Sequence, residues 1–107
     1  MRRAEVFCRG VFAGVLSKET RGYRFRYGLA YLADDRQPAI SLTLPKREAE
    51  YESPVLFPFF FGLLAEGSDK ALQCRVFKID ENDHFTRLVR TCGTETIGGV
   101  TVREVSS

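Results

Sequence analysis

A chain of 107 residues has room for one domain and one modest core, and 44% apolar with 28% charged residues is an ordinary globular balance. A net charge of +2 gives no strong electrostatic footprint for nucleic acid; the longest apolar run, residues 55–65, is too short to cross a bilayer, and Glu5 and Arg9 interrupt any signal-peptide core. Three cysteines, Cys8, Cys74 and Cys92, are an odd number without CxxC spacing, which argues against a disulfide framework or zinc site and fits a reducing, cytoplasmic setting.

In chain order, "AEVFCRG" and "VFAGVLSKE" alternate and lie so close that they predict a hairpin around Arg9 and Gly10. "GYRFRYGLAYL" is the clearest strand pattern, with Tyr23, Phe25, Tyr27, Leu29 and Tyr31 on one face and Arg24 and Arg26 on the other. "AISLTLP" alternates again until Pro45 stops it, and "KREAEYE" reads as a charged connector. Helices follow. Ser53 with Pro54 predicts a first helix start, Ser68 and Asp69 a second through "KALQCRVFKI", and Asn82 or Asp83 a third. In the third, Phe85, Leu88, Val89 and Cys92 keep helical spacing until Gly93. "GGVTVREV" closes the chain as a strand, with Gly98 and Gly99 marking a bulge or close backbone approach. The expected fold is a single α+β domain over residues 1–107. It has ββββαααβ order, and its small curled antiparallel sheet or partial barrel carries helices packed on one side.

"SPVLFPFFFGLLAEG" holds four phenylalanines within five positions and no charge between residues 55 and 65. On a helix, Leu56, Phe59, Phe60, Leu63 and Leu64 form one stripe able to dock on the sheet. Phe57 and Phe61, four apart, extend the apolar arc beyond that stripe, while Pro58 either bends the helix or delays its start. Neighbouring helices can cover the far side, or part of it meets another protein.

"FRYGLAYLADDRQPAISLTLPKREAEYESPVLFPFFFGLLAEG" resembles the N-terminal subdomain of the HipA serine/threonine kinases, toxins of bacterial toxin–antitoxin systems. An aromatic strand, a "pLSLSLP" segment and a "FF.nLLPEG" helix end are matched by residues 25–32, 40–45 and 59–67, with "LLAEG" here for "LLPEG". The later "DpF.LL...G.d..GA..l" pattern is matched by Asp83, Phe85, Leu88, Val89, Gly93, Glu95, Gly98 and Val100. The resemblance implies a freestanding subunit similar to HipS of three-gene HipBST systems. Such a subunit has no activity or cofactor of its own. It binds and restrains a HipA-like or HipT-like kinase, in company with a HipB-like DNA-binding protein. The expected contact region joins Phe57, Phe61, Glu66, Gly67 and Ser68 with Arg87 or Arg90, which otherwise form the solvated face of the third helix.

Arginines interleaved with Tyr23, Phe25 and Tyr27 are the composition of a stacking platform for single-stranded nucleic acid, but only if those rings are exposed. No direct nucleic-acid contact and no membrane contact is expected. "DENDH", residues 80–84, lacks the glycine and glutamate of a calcium loop and suits helix capping instead; no metal site is expected. His84 reads as a solvated first-turn residue and Cys92 as core, and no GxGxxG, P-loop or HExxH occurs. An enzyme built on His84 and a cysteine stands third.

Overall fold

In the computed structural model, which describes residues 2–64, 74–76, 78–80, 82–91 and 99–105, the chain opens with strands β1 (Arg2–Cys8) and β2 (Val11–Glu19). They pair antiparallel through the predicted turn, where Arg9 (φ 52°) and Gly10 (φ 81°) both take positive φ. That geometry matches the twist of the flanking strands, and glycine adopts it without a Cβ clash. Val6 lies opposite Gly14 while Phe7 lies opposite Phe12, so Ala13 is an extra residue in β2 and bends the strand.

β3 (Gly22–Tyr27) returns along β2 with Phe25 and Tyr27 inward and Arg24 and Arg26 outward, as the alternation predicts. The pattern then breaks. The Gly28 amide donates to the Ala13 carbonyl at 2.8 Å, and a Cβ there would sit 2.9 Å from the Phe12 ring. The chain turns instead into a short helix, α1 (Leu29–Ala33), burying Tyr31 and leaving Leu29 67% exposed. Leu29 therefore does not share the strand face expected for it.

"AISLTLP" is likewise no strand. It is a loop closed by a bridge between Ser41 and Leu44, with Ile40 and Leu44 buried and Leu42 at the solvated tip. The fourth strand, β4 (Tyr51–Ser53), takes the end of the predicted connector and the residue expected to cap the first helix, and Tyr51 pairs with Phe25. Helix α2 (Pro58–Phe61) starts late, with Phe57 as its extended N-cap residue and Pro58 at its first position. The Ser53 hydroxyl instead accepts a bond from the Val55 amide at 3.3 Å. Of the predicted second helix, only residues 74–76 and 78–79 are described, the first three of them helical.

Helix α3 (His84–Thr91) is capped as expected. The Thr86 amide donates to Asp83 Oδ1 at 3.1 Å and its hydroxyl to Oδ2 at 2.7 Å. Its predicted end at Cys92 and Gly93 lies outside the described residues. β5 (Val100–Glu104) pairs with β1 and gives the sheet order β4-β3-β2-β1-β5. Among the described residues β4 and β5 are the outer strands and do not pair with each other, so the sheet is open rather than a closed barrel. The α+β class holds; the order differs by the short α1 and the displaced fourth strand. The Arg9 amide donates to the Gly99 carbonyl at 2.8 Å, the close approach expected there.

The core gathers Ala4, Val6, Leu16, Phe25, Tyr27 and Val102 from the sheet with Tyr31, Phe60, Phe85 and Leu88 from the helices. Phe60 is fully buried, tilted against Phe25 at 5.6 Å between ring centres. Burying one such ring stabilises the fold by roughly 2 kcal/mol relative to leaving it in water.

Candidate partner-binding groove

The apolar stretch divides between core and surface. Leu56, Phe57, Phe60 and Leu64 are buried, and Phe59 and Leu63 pack partly against them, so the predicted stripe does dock. Phe57 belongs with the core at 6% exposure, which corrects its expected outward placement. The reason is local. Phe57 precedes the helix with ψ 138°, so the i, i+4 relation that would align it with Phe61 does not apply. Phe61 does reach the surface, at 38% exposure, with Val55 at 64%.

These two side chains line a groove of about 600 Å³ together with Tyr23, Pro54, Pro58 and His84. Each wall has a sequence cause. Pro54 and Pro58 keep residues 54–57 out of any helix, with a bend at Pro54 and Val55. Tyr23 occupies the inward face of β3 at its solvent end, opposite Ser53 of β4. His84 opens α3, and its imidazole meets the Phe61 ring edge-on at 5.1 Å and 77°. Burial pushes the Tyr23 hydroxyl up, and the Asp83 carboxylate adds to the effect, so the phenol stays neutral at physiological pH.

A cleft of about 280 Å³ adjoins the groove, sharing Tyr23 and Pro54 and lined beyond them by Glu19, Arg21, Arg24 and Glu52. Arg24 is held there by Glu19 at 2.9 Å and by Glu50 and Glu52 at 3.4 Å each. An apolar floor thus lies beside a rim of mixed charge.

Of the residues expected to bind a partner, Phe61 lies in the groove. Glu66, Gly67 and Ser68 lie outside the described residues. Arg87 is 3% exposed, so its placement on a solvated helix face is corrected. A buried guanidinium needs partners for its charge and its N–H groups, and such partners do not register in the helical periodicity of apolar residues. Arg90 is exposed in the last turn of α3, where its charge acts on Glu104 of β5; it does not line the groove. Tyr23, Val55 and His84 line the groove without having been expected at a partner-binding site. The signal available for Val55 was the pair of prolines flanking a short apolar run.

Of the stacking platform's three rings, Phe25 and Tyr27 are at most 2% exposed and Tyr23 alone reaches the groove, while Arg24 is engaged by three glutamates. His84 packs on Phe61 rather than standing free in solvent. Cys8 and Cys74 are buried thiols, and Cys92 lies outside the described residues. Within "DENDH", Asp80 accepts the Asn82 amide at 2.8 Å and Asp83 caps α3, as capping acids do.

The family model described as HipA N-terminal domain matches residues 4–103. The chain belongs to the HipA N-terminal domain family. An uncharacterized protein of Haemophilus influenzae (strain ATCC 51907 / DSM 11121 / KW20 / Rd) is 33% identical over 104 residues, covering 97% of this chain and 93% of the relative. A solved structure named N-terminal domain of HipA toxin superposes with a TM-score of 0.72 at 27% identity, covering 100% of this chain and 95% of that one. The open five-stranded sheet and its helices are thus the HipA N-terminal fold, and the groove at Phe61 lies on the helix-bearing side of it.

Proposed function

We propose that this protein is a non-catalytic antitoxin subunit that binds and restrains a HipA-type serine/threonine kinase, docking it on the groove at Phe61. Membership of the HipA N-terminal domain family across residues 4–103 is the observation that carries this reading. In HipA kinases the resembling subdomain precedes the catalytic region, so a kinase lacking its own copy is the natural partner for a separate one. A HipB-like DNA-binding protein completes the assembly. The groove supports the same reading, since it combines a solvent-facing phenylalanine and valine with proline walls that hold their shape without a ligand. Glu66, Gly67 and Ser68 follow the α2 segment in sequence and extend the proposed contact, with Arg90 at its periphery. Phe57 and Arg87, being buried, are left out of the proposed contact surface.

The test mixes the purified protein with a HipA-type kinase that lacks its N-terminal domain, following binding by calorimetry and phosphoryl transfer by radiolabel. The expected result is a complex that slows transfer and resists added salt, because an apolar contact releases few counterions. Phe61→Asp and Val55→Asp should each weaken binding about tenfold or more. Absence of a complex, or binding indifferent to both substitutions, would sink the reading.

A further inference from the structure

Leu42 is 99% exposed, the most exposed large apolar residue among those described, while its loop neighbours Ile40 and Leu44 are buried at 8% and 2%. Single exposed leucines are common and need no explanation when they sit on loose chain. This loop is tied down at many points. The Tyr27 hydroxyl donates to the Leu44 carbonyl and accepts the Ile40 amide at 3.1 Å. Tyr31 holds the Pro38 carbonyl at 2.6 Å, and Tyr51 holds the Pro45 carbonyl. Lys46 Nζ donates to the carbonyls of Asp34 and Gln37, both at 2.9 Å. At the tip, the Leu44 amide returns to Ser41 at 3.1 Å, and the Ser41 and Thr43 hydroxyls meet at 2.9 Å. Fixed backbone therefore presents an isobutyl group to water, an arrangement that adds nothing to the stability of the free domain.

We propose that Leu42 is a preorganised anchor that enters an uncharged apolar pocket on the folded protein partner bound at the groove; this rests on the kinase reading above. A rigid anchor loses little conformational entropy on binding, which is what distinguishes a binding hot spot from an incidental surface leucine. The chemistry of the pocket follows from the loop, since "QPAISLTLP", residues 37–45, carries no charge. Burying it strips water from no ion, so an apolar pocket without charged groups is its complement. A lipid surface fits poorly, for the segment offers no aromatic residue to enter it, and the flanking Arg36 and Lys46 are engaged by the Asp34 carboxylate and by the carbonyls of Asp34 and Gln37. The groove and the loop are both tied to β3. Tyr23 of the groove and Tyr27 beneath the loop stand four residues apart on β3, about 13 Å, well within a footprint of standard size.

The experiment measures binding of the HipA-type kinase lacking its N-terminal domain to the wild type and to Leu42→Asp and Leu42→Ala, with thermal melts of each. Expected is a loss of about tenfold or more for Leu42→Asp and a smaller loss for Leu42→Ala, at unchanged melting temperature. If Leu42→Asp binds as the wild type does, the anchor is overturned while the kinase reading stands. If the wild type itself fails to bind, both are overturned. If Leu42→Asp leaves kinase binding intact but abolishes self-association in sedimentation, a second copy covers the residue and the proposal is again overturned.

Discussion

Two phenylalanines four positions apart have opposite roles here. Phe57 ends an extended segment and packs in the core, edge-on to Phe60 at 6.3 Å, whereas Phe61 closes α2 and faces the groove. Their substitutions should separate cleanly. Phe57→Asp drives a carboxylate into packed apolar surroundings and should cost more than about 3 kcal/mol, visible as a large fall in the denaturation midpoint. Phe61→Asp should cost about 1 kcal/mol or less, because that side chain already meets water. Equal and large losses from both would place Phe61 in the core and remove the groove as a docking site. The sequence made the apolar density legible but not this partition. A helical wheel drawn from Pro54 assumes a helix that the prolines delay to residue 58, and every facing inferred upstream of that point shifts. Arg87 shows the complementary limit, since a charge pattern says where a guanidinium prefers to be rather than where packing takes it.

Among elements, those specified by short-range chemistry were legible and those decided by contacts distant in sequence were not. The first hairpin has its turn residues, and α3 has its acidic cap. Asp83→Ala should therefore lower stability by about 1 kcal/mol in chemical denaturation, and Asp83→Asn by less, because asparagine can still accept the Thr86 amide. A period of two, by contrast, marks burial of alternate residues and not a strand as such. "AISLTLP" buries Ile40 and Leu44 and exposes Leu42 with no ladder partner, and the Tyr27 hydroxyl takes the place of that ladder. Tyr27→Phe leaves the Ile40 amide and the Leu44 carbonyl without that partner, at a cost of about 1–3 kcal/mol. Proteolysis should then cut first within residues 38–45. A variant as resistant there as the wild type would show that packing of Ile40 and Leu44 holds the loop unaided.

At the scale of the molecule, the last strand lies beside the first, and Arg2 binds the closure together. Its guanidinium grips Glu104 of β5 at 2.7 and 2.9 Å, donates to Thr86 of α3 at 2.7 Å and lies 4.7 Å over the Phe85 ring. No local signal near residue 2 announces partners more than eighty positions away, so this staple was invisible in the sequence while the strands it joins were not. The hydrogen bond from Arg2, with its charge, holds the Glu104 carboxyl below its ordinary range. At Asp83 burial pushes upward, yet the two bonds from Thr86 and the charges of Lys18 and Arg2 outweigh it and the net shift is also down. Both groups are then more acidic folded than unfolded. Their contribution is complete above the unfolded carboxylate range and is lost as pH falls through the lower folded values, from about pH 4 downward. Melting temperature should accordingly be flat near neutrality and fall in acid. Arg2→Met keeps the apolar stem near Phe85 and removes the charge, so the gap between wild type and variant should be widest near pH 7 and narrow toward pH 2. A gap that stays constant across that range would mean Arg2 closes the sheet by packing on Phe85, with its ion pair to Glu104 contributing nothing measurable.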